Sequence, residues 1–220
     1  PDLHVRRLAS EGSRPRLPWA MALPAFKKNP TPVLPILKRL KADPSEYVRR
    51  SVANHLNDIS KDHPEIVISL AEQWLAGKPG TRWIVKHGCR TLLKQGDPQA
   101  LALFGYCKPE HLSIRGFQLR PGVISMGEQV AFEFELVSHK TELGHIRMEY
   151  AIEFVRQKGA PARKVFKISE GVYPDRSRQY RSRHSFKPIT TRNYYPGTHR
   201  LAIIVNGQQL DLAEFELQEA

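Results

Sequence analysis

Residues 45–63 read SEYVRRSVANHLNDISKDH. As a helix this stretch has two faces. Val48, Val52, Leu56 and Ile59 recur at helical spacing and form an apolar stripe. Tyr47, Arg50, Asn54, Asn57, Asp58 and Lys61 lie off that stripe, within reach of one another at steps of three and four. Two cations, two amides, a carboxylate and an aromatic ring make an unusual mixture for a merely solvated surface. The expectation is a face that touches DNA, with Asp58 as its chemical centre, its carboxylate protruding from a cation-lined hollow.

Two shorter stretches echo this one. HVRRLA at residues 4–9 matches YVRRSVA at 47–53, and WIVKHGC follows at 83–89. Such recurrence predicts stacked helical repeats with the period of HEAT or armadillo units. Between the first two echoes, EGSRPRLPWAMALPAF (11–26) carries Gly12, Pro15, Pro18 and Pro24, which forbid a continuous helix. Glu11 and Trp19 bracket this irregular segment, which also holds Arg14 and Arg16. Two readings stand side by side: a plain loop whose Trp anchors it to the core, or a carboxylate and an indole presented at the mouth of a binding face. Thr31–Lys41 reads as a helix, Asp43-Pro44-Ser45 as a stop followed by an N-cap, Pro64 as the first residue of the next helix, and Gly77-Lys78-Pro79-Gly80 as a turn. Arg82, Lys86, Arg90 and Lys94 then form a basic ladder at four-residue steps, with His87 beside it. The ladder is either a solvated face or a row of phosphate anchors in line with Arg50 and Lys61.

From Leu112 onward the apolar period becomes two. Seven segments read as strands, with Pro121-Gly122, Gly159-Ala160-Pro161 and Asn206-Gly207 as turns. This predicts an immunoglobulin-like sandwich. The strand YRSRHSFK puts Arg181 and Arg183 on one face. It is either an edge strand guarded by charge or a surface facing DNA. The expected fold class is therefore an all-α HEAT-like repeat solenoid over residues 1–108, followed by an all-β immunoglobulin-like sandwich over 109–220.

Composition reads first as that of a nucleic-acid or anionic-surface binder, with solubility alone as the alternative. The 220 residues carry a net charge of +12. Residues 1–108 hold 18 Lys and Arg against 9 Asp and Glu, while 109–220 hold 16 against 13. A second concentration, Arg163–Arg200, has ten basic residues and two acidic ones. No apolar run is long enough to span a bilayer, and the opening PDLHVRR lacks a signal peptide's apolar region. The 2 cysteines suggest no disulfide framework, so a cytoplasmic setting is expected. No His or Cys spacing fits a metal site, and no cofactor is implied.

With RRLASEGSRPRLPWA and YVRRSVANHLNDISKDHP in view, the chain resembles the AlkC group of alkylpurine DNA glycosylases built from HEAT-like repeats. The resemblance implies a monomeric enzyme acting on double-stranded DNA that contains alkylated bases. It would hydrolyse the N-glycosidic bond of cationic lesions such as 3-methyladenine and 3-methylcytosine, reaching them within the duplex rather than flipping them out. A cationic base leaves without a strong general acid. The developing oxocarbenium sugar and the attacking water are what need help, and fixed carboxylates supply it. The resemblance assigns this work to Asp58 and Glu11, with Trp19 packing on sugar or lesion. Arg14, Arg50, Asn54, Lys61, Arg82, Lys86, His87, Arg90, Arg181 and Arg183 are then expected to bind DNA. The family also has helices and a further carboxylate ahead of the point where this chain starts. The chain is thus expected to be the C-terminal portion of such a protein and to be feebly active or inactive alone. The main competitor is a non-catalytic repeat scaffold for nucleic acid or an acidic protein. An adhesion module is a third reading, disfavoured by the scarcity of cysteine.

Overall fold

The computed structural model describes residues 2–76, 79–190 and 192–219, with the side chains of 79 and 80 excepted. The chain forms two compact units, Pro1–Phe104 and Gly105–Ala220.

The first unit is helical. Its elements are α1 (Leu3–Glu11), α2 (Pro24–Lys28), a 3-10 turn (Thr31–Val33), α3 (Leu34–Leu40), α4 (Glu46–Ile59), α5 (Pro64–Leu75), α6 (Pro79–Gly88), α7 (Arg90–Gln95) and α8 (Pro98–Leu103). The quoted stretch becomes α4, the longest helix, and α1 and α6 both pack against it. Val52, Ala53, Leu56 and Ile59 from α4 join Leu37, Leu70, Trp74, Ile84 and Val85 in one core. The approach of α6 is close because residue 88 is glycine: a Cβ there would stand 2.9 Å from the Leu56 Cβ. Pro64 opens α5 as expected, where its missing N–H costs nothing. Part of the turn expected at Gly77-Lys78-Pro79-Gly80 lies outside the described residues.

The second unit contains β1 (Leu112–Arg120), β2 (Val123–Ser125), β3 (Gln129–Ser138), β4 (Gly144–Phe154), β5 (Ala162–Tyr173), β6 (Ser177–Ser185), β7 (Gly197–Val205) and β8 (Gln208–Gln218). They form a three-stranded sheet, β1-β3-β6, and a five-stranded sheet, β2-β8-β7-β4-β5. Alternate residues of β3 (Val130, Phe132, Phe134, Leu136) meet Ile146, Met148, Tyr150 and Ile152 of β4, and Leu201, Ile203 and Val205 of β7, in one core. Asn206 and Gly207 turn β7 into β8 with φ of 46° and 78°, the left-handed pair that a two-residue hairpin requires. The strand with the arginines, β6, is an edge of its sheet.

The expected fold class needs correction. The chain is a mixed α and β protein, about 33% helix and 36% strand with two sheets, and not an all-α repeat solenoid followed by a sandwich. The echoing segments do fall on neighbouring helices, but what separates them is irregular. A proline-rich segment, a five-residue helix, a 3-10 turn and α3 intervene before α4, whereas α5 alone intervenes before α6. The echo records a shared packing demand, an apolar stripe beside a basic edge, and not a repeated two-helix unit. An eighth strand also escaped the periodicity. Val123–Ser125 is too short to alternate visibly and pairs in parallel with β8.

Candidate active site and nucleic-acid interface

Asp58 occupies the last turn of α4 and is 2% exposed. It does not protrude: the expectation of a projecting carboxylate is corrected to a buried, paired one. Arg14 Nε donates to Asp58 Oδ2 at 2.8 Å, and Lys61 Nζ lies 3.4 Å from Oδ1. Arg14 Nη1 reaches Glu11 Oε1 at 2.5 Å, and Arg7 Nη2 stands 3.2 Å from Glu11 Oε2. One guanidinium therefore bridges the two carboxylates singled out from the sequence. The Lys61 side chain is 38% exposed, whereas that of Asp58 is 3% exposed.

The local sequence explains this bridge. The irregular segment 12–23 is largely a succession of turns and carries Arg14 and Arg16 two residues apart. Asp58 lies in the last turn of α4 and Asp62 in the turn that follows the helix. Arg16 pairs with Asp62 at 2.7 and 3.1 Å. The two ion pairs dock the segment along the helix. Burial tends to raise the Glu11 carboxyl, but nearby hydrogen bonding and the cations of Arg14 and Arg7 outweigh it, and its pKa ends below the usual carboxylate range. Burial likewise opposes the charge on Arg14, yet Asp58 and Glu11 together raise its pKa. Arg14 was expected among the DNA contacts. It is 6% exposed, with Nε on Asp58 and Nη1 on Glu11.

Trp19 lies at the tip of the same segment. Hydrogen bonds from Leu23 N to Pro15 O and from Ala20 N to Leu17 O close the loop, and Trp19 adopts φ of 64°. Its indole is wholly exposed. It anchors nothing, which removes the plain-loop reading in which the ring joins the core.

One turn before Asp58, Asn54 Oδ1 lies 3.2 Å from both His87 Nε2 and Arg90 Nη2. Arg90 also donates to the His87 carbonyl. Burial, with Arg90 and Arg50 nearby, lowers the His87 pKa, and burial lowers that of Arg90 too. Asn57 is 3% exposed and accepts from Thr91 N and Oγ1, so it belongs to the packing of α7 and not to an open face. Arg50 is exposed and paired with Glu46. Arg82 is exposed, while Lys86 is half-buried, 5.9 Å from the Phe104 ring centre. The four-residue ladder spans two elements, with Arg82 and Lys86 on α6 and Arg90 and Lys94 on α7. In the second unit Arg181 and Arg183 are exposed on β6, opposite Glu133 and Ala131, and Arg181 pairs with Glu133 at 3.1 Å.

Sequence reasoning missed several residues of this region. Trp83 stacks on His87 with centroids 5.1 Å apart and planes 10° from parallel. Their spacing of four within a helix was the available signal. The Arg16–Asp62 pair joins two turn segments 46 positions apart, and no local pattern marks it. His55 is fully buried, and its spacing from Val48, Val52 and Ile59 puts it on the apolar stripe of α4, which was the available signal. Among the described residues no cluster suits a metal ion, and no helix is long and apolar enough to cross a membrane.

Comparison with known proteins agrees with this organisation. Residues 113–219 match the family described as the C-terminal Ig-like domain of the uncharacterised protein YhaZ. The chain is 49% identical over 215 residues to the uncharacterized protein YhaZ of Bacillus subtilis (strain 168), covering 97% of this chain and 60% of that protein. Among solved structures it is similar to the Pseudomonas fluorescens alkylpurine DNA glycosylase AlkC bound to DNA containing an abasic site analog. The identity is 44% and the TM-score 0.93, over 99% of this chain and 61% of that one. The likeness is thus not confined to a C-terminal portion of this chain, and it lends no support to the expectation of an inactive fragment. This chain spans about three-fifths of both relatives and is similar to them through its helical and its Ig-like unit alike.

Proposed function

We propose that this protein is a DNA repair glycosylase that hydrolyses the N-glycosidic bond of cationic alkylated bases, 3-methyladenine and 3-methylcytosine among them. The observation that carries the reading is the end-to-end likeness to an alkylpurine glycosylase seen on abasic-site DNA. The local geometry is chemically apt. Two carboxylates from separate elements converge on one guanidinium, with Asp58 Oδ1 turned toward a half-exposed lysine. A sugar that gains positive charge as its base departs would be stabilised by such fixed negative groups. In this reading Asp58 and Glu11 face the deoxyribose and the attacking water, displacing Lys61 from Oδ1, and the exposed Trp19 packs on the sugar or lesion. Arg50, Asn54, Lys61, Arg82, Lys86, His87 and Arg90 anchor the backbone in the helical unit, and Arg181 and Arg183 do so in the Ig-like one. The partner is double-stranded DNA, the protein works as a monomer, and its setting is the cytoplasm.

The burial of Asp58 favours a second reading, a DNA-binding protein in which Glu11, Arg14 and Asp58 are only a structural brace. Incubation with methylated DNA, followed by assay of released bases, separates the two. Release of N3-methylated purine or pyrimidine supports the enzyme. Binding of DNA with no base released supports the brace.

A further inference from the structure

A helix leaves its last four carbonyls without intrahelical partners. At the end of α1 each of them is accounted for. Leu8 O accepts from Gly12 N, Ala9 O from Ser13 Oγ, and Glu11 O from Arg14 N. These three partners come from the residues that follow. The fourth, Ser10 O, lies 3.4 Å from Ser13 Oγ and meets the His55 ring more closely: Nδ1 lies 3.0 Å from it, across 45 positions of sequence. Beside this contact Ser51 Oγ lies 3.0 Å from Ser10 Oγ. Ser10, Ser51 and His55 are all 0% exposed.

A carbonyl only accepts, so Nδ1 must carry the proton. Burial keeps the ring neutral by pushing its pKa down to about 4, so Nε2 is left as a bare acceptor. Among the described residues Nε2 has no hydrogen-bond partner. A buried nitrogen left unsatisfied costs stability. What the protein gains in return is a fixed distance. Ser10 immediately precedes Glu11, and His55 precedes Asp58 by one turn on the same helix. Glu11, Arg14 and Asp58 are the charged groups that influence this ring.

We propose that His55 is a positioning residue: its Nδ1–H holds the Ser10 carbonyl and so fixes the last turn of α1, with Glu11, against the part of α4 that bears Asp58. The role rests on the glycosylase reading, in which both carboxylates must face one sugar. A misplacement of about 1 Å lowers a rate by up to roughly a hundredfold. Asn and Leu at position 55 have nearly the same shape, and only Asn offers a donor near the place of Nδ1.

The test compares His55→Asn with His55→Leu in single-turnover base release, alongside affinity for abasic-site DNA and the thermal midpoint. His55→Leu should release base at least about tenfold more slowly than the unsubstituted protein, while His55→Asn stays within about threefold. Both should bind abasic-site DNA within about twofold of the parent. Equal rates for the two variants, whether fast or slow, overturn the proposal. A second measurement needs no variant and no activity: nitrogen-15 correlation spectra of the imidazole report which ring nitrogen is protonated. Protonated Nδ1 supports the clamp, and protonated Nε2 overturns it. If the unsubstituted protein binds DNA but releases no base, the glycosylase reading fails, and the tautomer still decides whether the clamp exists.

Discussion

Replacing Arg14 by methionine removes the guanidinium but keeps an unbranched apolar side chain at this buried position. Asp58 Oδ2 then loses its 2.8 Å donor, and Glu11 loses the one at 2.5 Å. The Asp58 side chain is 3% exposed, so water cannot replace the lost partner, and Lys61 at 3.4 Å is too distant and too exposed to compensate. Breaking a buried pair by removing one member costs about 3–5 kcal/mol. That is a large share of the roughly 5–15 kcal/mol that stabilises a domain. With a urea slope of about 2 kcal/mol per molar, the midpoint of the helical unit should fall by roughly 2 M, read by circular dichroism at the helical band. The double substitution Arg14→Met with Asp58→Leu should recover most of the loss, because no charge remains buried at position 58 and Glu11 keeps Arg7 at 3.2 Å. A single variant within about 0.5 kcal/mol of the parent would show that the carboxylate is hydrated in solution, and the buried bridge would have to be abandoned.

Asp58→Asn, which preserves shape, should lower the rate of base release at least about a hundredfold while DNA affinity stays within about threefold; release at the parental rate removes Asp58 from the chemistry. If about four phosphates are neutralised, DNA affinity should drop roughly a hundredfold between ~50 and ~200 mM salt, and a flat response in a filter-binding titration counts against DNA as the partner. Gly88→Ala should destabilise the helical unit by about 1–3 kcal/mol in chemical denaturation, since the new methyl meets Leu56 Cβ at 2.9 Å; an unchanged midpoint would mean that α6 can slide away freely. His184, 8% exposed and bonded to the Tyr150 hydroxyl, has its pKa pushed down to about 4 by burial and then by Arg192. Its unfolded form takes up a proton near pH 6.5, so stability is full above that pH. About 3 kcal/mol should be lost between pH 6.5 and 4, and His184→Leu should flatten that slope in acid melts of the Ig-like unit.

Much of the scaffold was legible from local chemistry. The stripe of α4, the proline starting α5, the seven longer strands and the Asn206-Gly207 turn follow from periods and from backbone preferences that act over a few residues. The repeat reading failed because similarity between α1, α4 and α6 says which faces are apolar but not what connects them. The carboxylates were picked out by residue type, yet their burial was hidden. Whether Asp58 faces water depends on the segment around Arg14 lying over it, a contact 44 positions away along the chain. The same holds for Arg14 itself. Composition made it a phosphate anchor, and only the fold reveals two carboxylates waiting for it. For Trp19 the sequence left a core anchor and a presented indole open, and the exposure of the ring, which depends on how the loop folds, decides against the anchor.

The side chain of Asn206 has a practical consequence. Its Oδ1 accepts from Arg147 N, and its Nδ2 reaches the carbonyls of Cys107 and His145. The hairpin near the end of the chain thereby staples down the strandless lead-in that precedes β1. Anyone excising the Ig-like unit for separate work should begin the cut ahead of residue 107. A later start leaves this amide with an unmet donor at the seam and invites fraying there.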